Sequence, residues 1–301
     1  QRSLVGSEMC IRDSDRVFRI GDFCFRIISE LPYAAPDHFL QFAVETGKPE
    51  YIYRLREVHS LPVLDGNQIA WRPDMEVVRD GTKEIRLIGI KGKVGYYACY
   101  REIYSKEAEI LVTRLVRDLM PSDTVYSSLF ALDRRMIEYG GLILHCAYIN
   151  HRGKGILFSA PSGVGKSTQA ALWKKYRGSE IVNGDRTLLR KKEGKWLACA
   201  WPVCGSSNIC KRMDISVYAI VMLRQGKENS VVRLSPAKAF RQLYPQMTIN
   251  QWNPEFIQAA INGIENLILQ VPVWQLTCDM TEDAVKCLEA AIFPDTTIKM
   301  R

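Results

Sequence analysis

The chain has 301 residues, enough for one large domain or two modest ones, and its 47% hydrophobic and 25% charged residues exclude disordered and collagen-like polymers. Its net charge of +8 and pI near 9.0 suit an anionic ligand, but no basic run is dense enough for a nucleic-acid arm. The longest apolar runs, such as Val217 to Leu223, fall far short of the ~20 residues that cross a bilayer, so the expectation is a cytoplasmic protein with neither nucleic-acid nor membrane partners.

The opening RSLVGSEMCIRDS has no structural period and resembles translated adapter sequence at the ends of gene models. Residues 1 to about 14 therefore read as non-native, which removes Cys10 from consideration and leaves the true N-terminus open. From Asp15 to about residue 121, stretches such as RVFRIGDFCFRII, EYIYRLREV, EIRLIGI and GYYACYREIY alternate apolar and polar residues and predict a mainly antiparallel β domain. Asp65-Gly66 and Asp80-Gly81 read as hairpin turns, because glycine tolerates the positive φ that tight hairpins demand. His38 and His59 stand alone, and no catalytic constellation accompanies them.

A turn near Pro121 opens a helix with Val125, Leu129, Leu132 and Met136 on one stripe, closed by Gly140-Gly141. The second domain, 122–301, begins there. Its order becomes strand, loop, helix, strand, which is α/β. LILHCAYI is expected to pair with GILFSA through a turn between Asn150 and Lys154. Arg186 to Lys192 reads as one arm of a hairpin turning at Glu193-Gly194-Lys195, its charges a solvated edge. Ser235-Pro236 starts a further helix, and VPVWQLTCDMTEDAVKCLEAAI reads as a strand followed by a helix that Thr281, Glu282 and Asp283 open. Cys199, Cys204 and Cys210 have no neighbouring histidine to complete a zinc set, so the thiols are expected to be reduced.

The chemistry is concentrated in one stretch. Ala160 to Ser167, APSGVGKS, fits the phosphate-loop pattern with alanine in place of its first glycine, between an apolar strand and a helix. Backbone N–H groups of Ser162, Gly163, Val164, Gly165, Lys166, Ser167 and Thr168 can turn inward around an anion, and the helix adds its partial positive charge there. Lys166 then serves the β- and γ-phosphates of a nucleoside triphosphate, while the Ser167 hydroxyl suits Mg²⁺. Asp185, one helix further on at the end of the apolar strand EIVNGD, is the candidate second Mg²⁺ ligand, although Asn183-Gly184-Asp185 is also turn composition. His145 lies on the strand preceding the loop, where a histidine is more often packed than catalytic.

His145, the loop APSGVGKST and RGSEIVNGD together resemble the C-terminal catalytic domain of HPr kinase/phosphorylase over about residues 140 to 195. The chain is also similar to the HPr-kinase-like proteins of bacterial peptide-modification pathways, whose pattern WPVCGSSN and VPVWQL resemble. The resemblance implies an α/β P-loop domain shared with phosphoenolpyruvate carboxykinase, use of ATP and Mg²⁺, and phosphorylation of a serine or threonine hydroxyl on a small protein or peptide. It casts Asp185, His145 and Lys166 as catalytic, and leaves homo-oligomerisation open. Where the family carries two consecutive aspartates this chain has Gly184-Asp185, so the position matching the family's general base is glycine. No stretch matches the family's phosphorolysis loop, and the reverse activity is not expected. A nucleotide-binding subunit without phosphotransfer and a small-molecule kinase stay open beside the peptide kinase.

Overall fold

The computed structural model describes residues 15–31, 35–90 and 92–294; the opening segment read as non-native lies outside them. The chain divides into two compact units between Arg135 and Met136, later than the boundary read near residue 121. The reason is aromatic packing. Tyr126 lies 4.9 Å from Phe39, and Phe130 lies 5.1 Å from Tyr53, centroid to centroid, so residues past 121 complete the first unit's core.

The first unit is an eight-stranded sheet of β1 (Asp15–Ile20), β2 (Phe23–Ser29), β3 (Tyr51–Glu57), β4 (Asn67–Arg72), β5 (Met75–Asp80), β6 (Lys83–Gly89), β7 (Tyr96–Tyr104) and β8 (Glu107–Val112), in the order β1-β2-β3-β8-β7-β6-β5-β4. It is antiparallel except where β3 runs parallel to both β2 and β8. Alternation of period two reports which face is buried and not strand direction, so those two pairings were invisible in the pattern. Asp80-Gly81 does lead a tight hairpin, with Gly81 at φ 60° between β5 and β6. Asp65-Gly66 does not; it sits in the connection entering β4, and the next turn falls between Arg72 and Met75.

After the short helix α1 (Asp37–Leu40), the single helix expected beyond Pro121 is two helices, α2 (Asp123–Ser128) and α3 (Leu132–Glu138). Ala131 between them has φ 44°, which no helix accommodates. The break lets Phe130 turn toward Phe39, Tyr53 and Tyr126, while Leu129, Leu132 and Met136 stay buried as the stripe requires.

The second unit holds β9 (Leu142–His151), β10 (Lys154–Ser159), α4 (Lys166–Arg177), β11 (Glu180–Asn183), β12 (Arg186–Lys192), β13 (Lys195–Cys199), β14 (Ile215–Gln225), β15 (Ser230–Arg233), α5 (Pro236–Leu243), α6 (Pro254–Gln270), β16 (Val273–Cys278) and α7 (Glu282–Ile292). The strand order is β10-β9-β12-β13-β14-β16-β15, with β11 on β9 and β10 also parallel to β14. Long β9 is shared: Leu142 to His145 pair with β12, and the remainder pairs with β10 on one side and β11 on the other. Alternate residues of one strand enter different cores. Leu144, Cys146 and Tyr148 join Ala260, Ile264 and Leu267 of α6, whereas Ala147 and Ile149 join Trp173 of α4 and Leu288 of α7. Helices thus cover both faces, which is why β9, β10 and β14 are apolar with so little alternation.

Both expected hairpins of this unit form through paired positive φ values, at Arg152-Gly153 and at Glu193-Gly194. Among the described residues all eight cysteines are free, and no helix is long and apolar enough to cross a membrane.

His151, which motif reading passes over, is buried at the end of β9, with its Nδ1 2.9 Å from Ser179 Oγ and its ring packed on Trp173 and Phe293. Burial, helped by Arg152, Arg177 and Lys154 and opposed by Glu289, lowers its pKa below the ordinary 6.5. The unfolded chain therefore binds this proton more readily, and stability falls as pH drops through the ordinary imidazole range toward the lower native value. Thermal unfolding followed from pH 7.5 to 5 should show this decline, and His151→Gln should flatten it. An unchanged slope in the variant would remove His151 from the acid sensitivity.

Candidate functional site

The site begins where β10 ends. Ser159 is in register with Cys146 of β9 and Met222 of β14, and its hydroxyl donates to His145 O at 2.8 Å. The chain then turns through Ala160 to Gly165 and enters α4. Gly163 and Gly165 have φ of 82° and 115°. A Cβ added at either meets nothing closer than 4.0 Å, so backbone conformation and not lack of room calls for glycine here. Gln169 N donates to Gly165 O at 2.9 Å, closing the first helical turn. Acidic residues are absent from that turn, and Lys174, Lys175 and Arg177 lie in the last one, so the amino end keeps its partial positive charge. The hydroxyl-bearing Ser162 and Ser167 are exposed, whereas Lys166 is buried, only 7% exposed. Its Nζ donates to Ala160 O at 3.0 Å and Pro161 O at 3.4 Å, across the foot of the loop. Burial pulls the ammonium below its ordinary pKa against the attraction of Asp185.

On the other side of β9, the strand expected to end in Asp185 ends at Asn183, and Gly184 and Asp185 form the bend between β11 and β12. Asn183 builds that bend. Its Oδ1 accepts from Asp185 N at 2.9 Å and Arg186 N at 3.0 Å, and its Nδ2 donates to the carbonyls of Trp201 and Val203. Asp185 O accepts from Cys146 N at 2.9 Å, which sets Asp185 level with the start of the glycine loop. Its carboxylate has His145 Nε2 at 3.5 Å from Oδ1 and Arg186 Nε at 3.1 Å from Oδ2. Burial works against the charge, but the hydrogen bond from His145 and the Arg186 guanidinium outweigh it and hold the carboxyl below its ordinary range. Arg186 is steadied in turn by Thr248 Oγ1 at 3.0 Å.

The CGSSN stretch closes over this bend. Gly205, at φ 56°, would place a Cβ 3.2 Å from Asp185 Cβ and Cγ. A Cβ at Gly184 would overlap Ser207 Cβ and Oγ, and that hydroxyl is fixed by donating to Cys204 O at 2.6 Å. Gly184 therefore lacks room for any side chain. Gly184→Asp should not restore an acid there. It should destabilise the fold by about 1–3 kcal/mol through overpacking, read as a lower Tm, and Ser207→Gly in the same chain should recover most of the loss. Full stability of the single variant would show that Ser207 yields freely.

Of the residues singled out in the sequence, His145 meets Asp185 and Lys166 feels the Asp185 charge, while Ser162, Gly163, Val164, Gly165, Ser167 and Thr168 lie in the loop and the first turn of α4. Asn183 was read only as turn composition, which is the role it takes, Arg186 only as the start of a hairpin arm, and Thr248, distant in sequence, was not singled out. Among the described residues there is no cluster of three or more His, Cys, Asp or Glu side chains able to hold a metal by themselves. The Ser167 hydroxyl and the Asp185 carboxylate are the donor types that would fit Mg²⁺, which commonly takes one or two protein ligands and fills its octahedron with phosphate oxygens and water.

Fold and site define a mixed α/β protein whose glycine-rich loop joins a central strand to a helix beside an ion-paired aspartate. The family described as SynChlorMet cassette protein ScmC matches residues 119–292, more than half of the chain, and the chain belongs to that family. Among solved structures, the HPr(Ser) kinase/phosphatase from Coxiella burnetii aligns at 12% identity over 52% of this chain and 92% of that one, with a TM-score of 0.30, too low to bear on function. No curated protein matches the sequence.

Proposed function

We propose that the chain is an ATP- and Mg²⁺-dependent kinase that transfers the γ-phosphoryl group to a serine or threonine hydroxyl of a small protein or peptide. The observation that carries this is the shared level of Asp185 and the glycine loop on either side of β9, fixed by the Cys146 N to Asp185 O bond. Loop amides and Lys166 would hold the phosphate tail, and Ser167 with Asp185 would hold Mg²⁺. When bound, Mg²⁺ neutralises charge on the β- and γ-phosphate oxygens.

In transfer the acceptor oxygen bonds to the γ-phosphorus, the bond from that phosphorus to the bridging oxygen breaks, and ADP keeps the electron pair. The acceptor proton must go to a base. Gly184 has no side chain and Ser207 fills its space, so the proton falls to the Asp185–His145 pair. Placement and charge neutralisation supply most of such a rate, which makes a modest base sufficient.

A second reading, a nucleotide-binding subunit without transfer, is favoured by the engagement of both Asp185 oxygens, one by His145 and one by Arg186. Incubation with γ-labelled ATP, Mg²⁺ and candidate peptides separates the two. Label on a serine or threonine supports the kinase; bound nucleotide with all label retained in ATP supports the binding subunit. Label on a small alcohol instead would move the acceptor class.

A further inference from the structure

Three parallel strands, β10, β14 and β16, end at the same edge of the second unit's sheet, and ligands of open α/β sheets bind beyond such ends. Asp185 flanks the glycine loop on the β9 side. On the opposite side, beyond β14 and β16, lies a cleft of about 360 Å³ lined by the loop, Thr168, Gln169, Gln225, Asp279 and Met280 among others. Its size falls within the range of small-molecule sites.

The lining contains no lysine, arginine or histidine, and it contains the carboxylate of Asp279. At the Asp279 end, away from the loop, a phosphate tail is repelled, while a neutral ring with an amino edge is attracted. Asp279 is positioned by its own turn: Oδ1 accepts from Thr281 N at 3.0 Å and Thr281 Oγ1 at 2.7 Å, and Asp279 N donates to Asn229 Oδ1. Gln169, buried beneath the cleft, donates through Nε2 to Cys278 Sγ and Asp279 O, and its Oε1 has no hydrogen-bond partner. That is a second acceptor calling for a donor. Met280 stands 76% exposed at the rim, a thioether suited to covering an aromatic face.

We propose that this cleft is a base pocket for adenine, with Asp279 accepting from the exocyclic amino group and Met280 covering the ring; the proposal rests on the phosphate-loop assignment above. The nucleotide then lies across the loop in one direction only, its γ-phosphate toward Asp185 and its base toward Asp279.

Calorimetry of the full chain with Mg²⁺ and tripolyphosphate, ATP, ITP or GTP tests it. Tripolyphosphate should bind through the loop, ATP should bind more tightly than tripolyphosphate, and ATP should exceed ITP, whose base carries oxygen in place of that amino group, by about tenfold. Asp279→Asn should bring ATP down to the level of ITP, and Met280→Ala should weaken both equally. ATP no tighter than tripolyphosphate, or an ATP-to-ITP ratio unchanged by Asp279→Asn, overturns the pocket and leaves the loop standing. GTP tighter than ATP overturns adenine as the base. Tripolyphosphate and ATP both failing to bind overturns the loop assignment itself, and the pocket with it.

Discussion

Lys166→Ala is expected to weaken binding of Mg²⁺–ATP by about 100-fold or more, to the edge of calorimetric detection, while the chain stays folded. The side chain is buried, yet among the described residues its ammonium hydrogen-bonds only to the carbonyls of Ala160 and Pro161. Neutral carbonyls compensate a buried ammonium incompletely, which is consistent with its lowered pKa. Two anionic phosphates are far better partners: each charge-assisted hydrogen bond to a phosphate oxygen contributes about 1.5–3 kcal/mol, so losing one or two costs one to several powers of ten in affinity. Alanine keeps the helix start, since it is the best helix former and the left-handed turn belongs to Gly165. Circular dichroism and a melting curve close to wild type would confirm that only the ammonium has been lost. Wild-type affinity in the variant would mean that the loop does not cradle a polyphosphate. Lys166→Arg should recover little, because a broad planar fork cannot take the place of a compact ammonium in a buried slot.

The glycine loop was legible because its requirements are local: two positive-φ glycines, then a lysine and a serine at a helix start. The turns at Gly81, Gly153 and Gly194 were legible for the same reason. Local signals can also be passed over. Helix α6, the longest among the described residues, begins at Asn253-Pro254, where Asn253 Oδ1 accepts from Glu255 N and Phe256 N at 3.1 Å, yet this cap-and-proline signature was not read. Other features have no local cause. Ala131 takes a left-handed conformation because Phe130 has aromatic partners distant in sequence, and composition favours an unbroken helix there. The two parallel pairings of β3 follow from chain crossing rather than from alternation. In the site, Asp185 was singled out from its place after an apolar strand, but its level beside the loop depends on β9 changing partners midway, from β12 to β10 and β11. That Ser207 fills the space over Gly184 is a contact between distant segments, and nothing in GSEIVNGD announces it.

Asp185 is the residue on which binding and chemistry should separate. Asp185→Asn keeps the shape of the side chain and removes its charge, so label transfer from γ-labelled ATP should fall by about 10³-fold, within the range for losing a positioned acid–base group, while nucleotide affinity falls by about tenfold or less. Affinity survives because loop amides, Lys166 and the helix end do not depend on this carboxylate. Transfer does not, because Gly184 offers no alternative acid and has no room for one. The isostere also leaves Asn183 holding the bend, since that side chain bonds to the backbone N–H groups of residues 185 and 186 rather than to the carboxylate. Arg186 loses its anionic partner but keeps Thr248, which limits the disturbance to the carboxylate's own neighbourhood. His145→Gln provides the companion measurement: if the pair shares the acceptor proton, its transfer rate also falls while nucleotide affinity stays near wild type, and combining it with Asp185→Asn adds little, because groups that act as a unit are non-additive. Transfer undiminished by Asp185→Asn would take the carboxylate out of the reaction; additive losses in the double variant would divide the pair into two independent contributors.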